Sequence, residues 1–282
     1  MNTILEILEQ AARSAGTISL SYFRKESHIA HKNNMHQNLV TLADTESQKK
    51  IQETITTLLT RNGVDPADIG FIGEENLETP TARHMFVIDP LDGTGNFASG
   101  LDYFSVSIAY FENGMPTAGL VYWPSRDIVY YAEKGKGAWK HHAQGQAVQI
   151  KVADEALKNS LVLMYLSAIP KYFSKTAETI AVLAPSIRGI RLYGSTCLDV
   201  VHVADNENAA HLLVNSHLYL WDIAAVYVIL REAGGVAYDF DGNEIALTTT
   251  SKQREFNAIA GHPHIVQSCL QILRTHQTMK NS

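Results

Sequence analysis

From about residue 152 onward, apolar runs of strand length alternate with stretches of helical period. That alternation narrows the possible folds more than any other feature of the chain. Residues 161–165, 190–193, 210–214, 236–238 and 257–260 read as strands, and 177–183, 195–204, 222–233 and 263–274 as helices between them. Strand and helix in turn imply a sheet covered by helices, an α/β half. The earlier part follows another pattern. Thr3 caps a helix whose apolar positions are Ile4, Leu5, Leu8, Ala12, Ala15 and Ile18. After a polar stretch over 25–38, a second helix over 44–61 carries the stripe Ile51, Ile55, Leu58 and Leu59, and Asn62-Gly63 stops it. Short buried strands at 71–72 and 85–88 precede three antiparallel ones at 104–111, 118–122 and 128–132. Asn113-Gly114 and Pro124-Ser125-Arg126-Asp127 reverse the chain between these. The glycines at 135, 137 and 145 are expected to end that sheet. The expected organisation is thus an α+β half over residues 1–150 and an α/β half over 151–282, and 282 residues suffice for a large core.

Composition removes several classes of function. A formal charge of −6 with no long basic run speaks against nucleic acid as a partner. No window approaches the roughly 20 apolar residues of a membrane helix, and the acidic first turns do not read as a signal peptide. The two cysteines, Cys197 and Cys269, are too few and too distant for a disulfide framework, and read as buried thiols of a cytoplasmic protein. The twelve histidines are scattered, with His141-His142 and the His262/His264 pair placed in loops and no zinc pattern among them.

The chemistry concentrates in Val87-Ile88-Asp89-Pro90-Leu91-Asp92-Gly93-Thr94-Gly95-Asn96-Phe97. Two carboxylates three residues apart at the end of an apolar strand can share one small volume with the Leu91 carbonyl. Hard oxygen ligands of that kind suit Mg²⁺. The Gly93 and Thr94 N–H groups would face the same volume and hold a phosphate oxygen. Three further acidic positions stand at element ends: Glu74-Glu75 after Phe71-Ile72-Gly73, Asp222 opening an apolar helix, and Asp44 behind Leu39-Val40-Thr41. Each also has a plain structural reading. Asp222 and Asp44 read alone are helix caps, Glu74-Glu75 a solvated pair, and Asp89-x-x-Asp92 an Asx-turn.

Taken together, Gly73-Glu74-Glu75, Asp89-Pro90-Leu91-Asp92-Gly93-Thr94-x-Asn96-Phe97 and Trp221-Asp222-x-Ala224-Ala225 followed by Glu232-Ala233-Gly234-Gly235 resemble the inositol monophosphatase family of Mg²⁺-dependent, lithium-sensitive phosphatases. Leu39-Val40-Thr41-x-x-Asp44, Gly135-Lys136-Gly137-Ala138 and Gly194-Ser195 extend the resemblance over most of residues 39–261. It implies a layered α/β/α/β/α sandwich of the inositol monophosphatase and fructose-1,6-bisphosphatase type, usually a homodimer. It also implies that Glu74, Asp89, Asp92, Asp222 and the Leu91 carbonyl hold two or three Mg²⁺ ions. Thr94, held by Asp44, and Glu74 would then orient and deprotonate the attacking water, while the metals neutralise the leaving alkoxide. Asp92, Gly93, Thr94, Gly194, Ser195, Thr196 and Asn215 would contact substrate. Glu75 reads equally as a member of an outer network, a third, weaker metal site or a solvated side chain. Lys32 lies one place from a position that is basic in the family.

Asn215 stands where inositol monophosphatases usually carry a glutamate that bonds ring hydroxyls, and a neutral amide cannot supply a charge-assisted bond. It also reads as a polar strand end. Inositol monophosphate leads as the expected substrate. Fructose 1,6-bisphosphate, histidinol phosphate and a nucleotide 3′-phosphate are rivals, and a regulatory protein working through protein or RNA contacts is the alternative class. On the sequence alone, Asp92→Asn is a change of charge that leaves the fold intact.

Overall fold

The computed structural model describes residues 1–25, 30–31, 39–143, 145–167, 169–207 and 210–281. Lys32 and most of the polar stretch over 25–38 lie outside them. In chain order the helices are α1 (Ile4–Tyr22), α2 (Leu42–Arg61), α3 (Thr94–Ala98), α4 (Pro170–Leu183), α5 (Thr196–Ala204), α6 (Leu220–Glu232) and α7 (Pro263–Asn281). The strands are β1 (Ala30–His31), β2 (Leu39–Val40), β3 (Ile69–Gly73), β4 (Leu77–Glu78), β5 (His84–Asp92), β6 (Ser105–Glu112), β7 (Met115–Trp123), β8 (Ile128–Glu133), β9 (Ala138–His142), β10 (Val148–Ile150), β11 (Leu161–Met164), β12 (Gly189–Arg191), β13 (Ala210–Tyr219), β14 (Val236–Tyr238) and β15 (Glu255–Gly261).

An eight-stranded sheet has the order β10-β9-β8-β7-β6-β5-β3-β4, antiparallel throughout except where β3 runs parallel to β5. A five-stranded sheet has the order β12-β11-β13-β15-β14, with β11 parallel to both β12 and β13. Three apolar cores stack between the layers. α1 and α2 pack through Leu8, Ile51 and Ile55 on Phe86, Ile108 and Leu120 of the large sheet. α5 and α6 fill the space between the sheets, so that Val201 and Ile229 share a core with Val121 on one side and Leu213 on the other. α4 and α7 close the outer face of the small sheet through Leu183 and Leu270. The result is the expected α/β/α/β/α sandwich. Burial of roughly 25 cal/mol per Å² of apolar surface in three such layers is what fixes α5 and α6 in the middle.

Local signals explain the elements that match. Thr3 and Glu6 form a capping box at α1, and Asn113 (φ +52°) with Gly114 (φ +81°) turns β6 into β7. Other elements differ from expectation. The large sheet does not end at the glycines: β9 follows Gly137 and β10 follows Gly145, so His141 and His142 are strand residues. The reason lies across the molecule. The Glu232 carboxylate at the end of α6 accepts from the N–H groups of Gly135 (2.9 Å) and Gly137 (2.8 Å), which fixes the turn that sends the chain back as β9. β13 continues to Tyr219 through an irregularity between Asn215 and Leu218 that breaks its alternation. β12 stops at Arg191, and Thr94 opens a short helix instead of a simple turn.

Candidate metal centre

The plain readings of Asp89, Asp222 and Asp44 are also realised, and that is how these carboxylates are aimed. Asp89 Oδ1 accepts from the Leu91 N–H at 3.0 Å, an Asx-turn that bends β5 as it ends. Asp222 Oδ2 accepts from the Tyr219 N–H at 2.7 Å at the start of α6. Asp44 Oδ2 accepts from both the N–H (2.7 Å) and the hydroxyl (2.6 Å) of Thr41, capping α2. These local bonds bring Asp89, Asp92 and Asp222 together: each offers a carboxylate oxygen within 4.8 Å of the others. Glu74 joins from the side. The parallel register sets Gly73 against Ile88, which places Glu74 beside Asp89, and its N–H donates to the Ile88 carbonyl at 3.3 Å.

Thr94 stands over the Leu91 carbonyl. Its hydroxyl lies 3.0 Å from that oxygen and 3.1 Å from Asp44 Oδ1, so the expected Thr94–Asp44 pair is present. Asp92 is the most heavily bonded member. Its carboxylate accepts from the Ser195 and Ser105 hydroxyls and from the N–H groups of Thr196 (3.1 Å) and Cys197 (2.8 Å). It therefore supplies the cap of α5 from another strand, where the dipole and open N–H groups of a helix start favour a negative group. Ser105 and Cys197 carry no motif. The signal that finds Ser105 is register, since it pairs with Asp92 across β5 and β6. Cys197 gives its N–H to Asp92 and its thiol to the Asp222 carbonyl at 3.4 Å, and it is silent in the sequence.

Gly93 bridges these elements with φ +92°, and Gly194 precedes α5 with φ +83°. Asn215 is 1% exposed. Its Oδ1 accepts from the His217 N–H at 3.1 Å and its Nδ2 donates to Thr196 Oγ1 at 3.4 Å. In this conformation its amide braces the β13 irregularity against α5. Glu75 presents its peptide to Gln48 of α2.

The electrostatics follow from burial. Asp89 is held well above the usual carboxylate range, first by desolvation and then by the charges of Glu74, Asp92 and Asp222. Desolvation also raises Asp92, while the Ser195 hydroxyl and the Cys197 and Thr196 N–H groups pull it back. Burial and the neighbouring Asp92 and Asp89 push the Cys197 thiol up, which disfavours the thiolate. Clustered carboxylates with a carbonyl beside them form an all-oxygen donor set whose mutual repulsion a hard divalent cation relieves. The residues fit such an ion.

The chain is similar in sequence and fold to known proteins. The Nus factor SuhB of Xylella fastidiosa is 29% identical over 274 residues, covering 95% of this chain and 94% of its own. The fructose-1,6-bisphosphatase/inositol-1-monophosphatase of Thermotoga maritima is 30% identical over 232 residues, covering 82% of this chain and 83% of its own. The crystal structure of the extragenic suppressor protein suhB from Bartonella henselae superimposes with a TM-score of 0.83 at 27% identity, over 96% of this chain and 98% of that one. The family model matching residues 1–276 agrees with this fold and this acidic cluster: the chain belongs to the inositol monophosphatase family, a family of metal-dependent phosphatases.

Proposed function

We propose that the protein is a cytoplasmic, Mg²⁺-dependent phosphomonoesterase acting on a small phosphorylated polyol, with inositol monophosphate as its leading substrate. The observation that carries this reading is the convergence of Asp89, Asp92 and Asp222 within 4.8 Å at the end of β5. The buried free thiols Cys197 and Cys269 suit a reducing compartment. Among the described residues no helix is long and apolar enough to cross a membrane. A homodimer and lithium sensitivity are proposed from kinship alone.

Glu74, Asp89, Asp92, Asp222 and the Leu91 carbonyl would hold the cations, two or three per site. When bound, such ions neutralise charge on phosphoryl and leaving oxygens and acidify water. The chain's own residues do the rest. Asp44 takes the Thr94 hydroxyl proton in a hydrogen bond, which leaves a Thr94 lone pair facing the attacking water and fixes its line of approach. Glu74, beside Asp89, receives the water's proton. The N–H groups of Gly93 and Thr94 meet the phosphoryl oxygens as charge builds there. The elements carrying Gly194, Ser195, Thr196 and Asn215 form the substrate side. Because the Asn215 amide already serves His217 and Thr196, its part is to set that wall, and ring hydroxyls would meet Thr196.

The test is phosphate release from inositol monophosphate, fructose 1,6-bisphosphate, histidinol phosphate and a nucleotide 3′-phosphate, with Mg²⁺ and with chelator. Mg²⁺-dependent turnover strongest on inositol monophosphate is the expected result, and turnover unaffected by chelator would sink the reading. A regulatory role through RNA or protein contacts draws support from the name Nus factor borne by the Xylella relative. Folded protein that binds Mg²⁺ yet hydrolyses none of the four compounds would favour it.

A further inference from the structure

Asp44 and Gln48 occupy successive turns of one face of α2. Asp44 reaches Thr94, and Gln48, 7% exposed, reaches the turn that carries Glu74. Gln48 Nε2 donates to the Glu75 carbonyl at 3.1 Å, and its Oε1 accepts from the Glu75 N–H at 3.2 Å. A primary amide can make both bonds at once, as a neighbouring strand would, whereas a carboxylate can only accept. Gly73 makes the approach possible: a Cβ there would lie 2.5 Å from Gln48 Oε1. Glu74 is thus held on both sides, by its own N–H on the Ile88 carbonyl and by the clamp on the next peptide.

We propose that Gln48 is a positioning residue for Glu74, and that α2 acts as a rigid bar setting Glu74 and Thr94 at a fixed separation around the cation site. The proposal rests on the reading of Glu74 as cation ligand and proton acceptor. Freed from the clamp, the 73–76 turn keeps its chemistry but loses its aim, and a hydrolytic site is sensitive to errors of that kind.

The test compares wild type, Gln48→Glu, which retains only the accepting half, and Gln48→Met, which retains neither. Amide hydrogen exchange over 73–76 is measured without cation. Mg²⁺ affinity is measured by calorimetry with the metal alone, and kcat and KM with inositol monophosphate. Exchange over 73–76 is expected to rise about tenfold in Gln48→Met, with Gln48→Glu between, while the rest of α2 keeps its protection. Mg²⁺ affinity and kcat should fall in the same order, with KM little changed. Unchanged exchange overturns the clamp. Faster exchange with unchanged Mg²⁺ affinity overturns the positioning role. If Gln48→Met does not fold, Gln48→Glu decides alone on the same criteria. Should the wild type release no phosphate, the phosphatase reading fails, while exchange and calorimetry still judge Gln48.

Discussion

Two glycines in one turn make opposite predictions, and the pair tests how the site is built. Gly93 has φ +92°, and an added Cβ would lie 3.0 Å from the Tyr103 carbonyl oxygen, 3.2 Å from Ser195 Cβ and 3.3 Å from the Gly194 carbonyl oxygen. None of these neighbours can move freely. The Tyr103 carbonyl accepts from Asn96 Nδ2 at 2.8 Å, and the Ser195 hydroxyl is bonded to Asp92. Alanine at 93 therefore incurs a left-handed backbone penalty of about 1–2 kcal/mol. Overpacking against a braced wall adds about 1–3 kcal/mol, so Gly93→Ala is expected to lose about 2–5 kcal/mol. Gly95 sits in α3 with open space around its would-be Cβ. Gly95→Ala should be neutral or gain up to about 1 kcal/mol from helix propensity. Urea unfolding followed by tryptophan fluorescence, in chelator so that cation binding does not enter, measures both. A Gly93→Ala midpoint at the wild-type value, or a Gly95→Ala loss equal to that of Gly93→Ala, would refute the reasoning.

The remaining predictions concern charge. Asp92→Asn is not the charge-only change the sequence suggests, because the amide nitrogen would face a donor in either orientation: the Thr196 N–H in place of Oδ1, or the Cys197 N–H and the Ser195 hydroxyl in place of Oδ2. It should abolish turnover and also destabilise the protein by about 1–3 kcal/mol. Asp89→Asn can keep its bond from the Leu91 N–H, so turnover should vanish while urea unfolding shows no loss of stability; a destabilisation matching that of Asp92→Asn would contradict this. Asp89 and Asp92 have raised folded pKa values, so they contribute stability at low pH that is lost as pH rises through those values. In chelator the melting temperature of the wild type should therefore fall relative to that of Asp89→Asn as pH rises above the ordinary carboxylate range of about 4, and Mg²⁺ should stabilise more at the higher pH. Scanning calorimetry of wild type beside Asp89→Asn checks it: a pH slope identical in both proteins would remove these carboxylates from the account.

What could be read from the chain divides by range. Features whose cause lies within a few residues were legible: the Thr3 cap, the Asn113-Gly114 turn, the Asx geometry of Asp89 and the paired carboxylates of β5. Features caused by distant partners were not. β9, with Lys140 and two histidines, lacks an apolar alternation, and its turn is fixed by Glu232 from another layer. The α5 cap on Asp92 and the Gln48 clamp join residues 104 and 27 positions apart, which no local pattern announces. The family resemblance supplied Glu74 and Asp222, whose separate local readings pointed only to a loop and a cap.

The manner in which Asp92 is satisfied also has a consequence for synthesis. Its strand neighbour Ser105 follows closely, whereas Ser195, Thr196 and Cys197, like Asp222, belong to the layer between the two sheets. On a chain emerging from a ribosome, the acidic pair of β5 is complete long before the helix it caps. Until α5 and α6 dock, these carboxylates stay in water, and no tight cation pocket exists. A divalent cation held there would then report docking of this middle layer and would act as a clasp across the seam that α5 and α6 close.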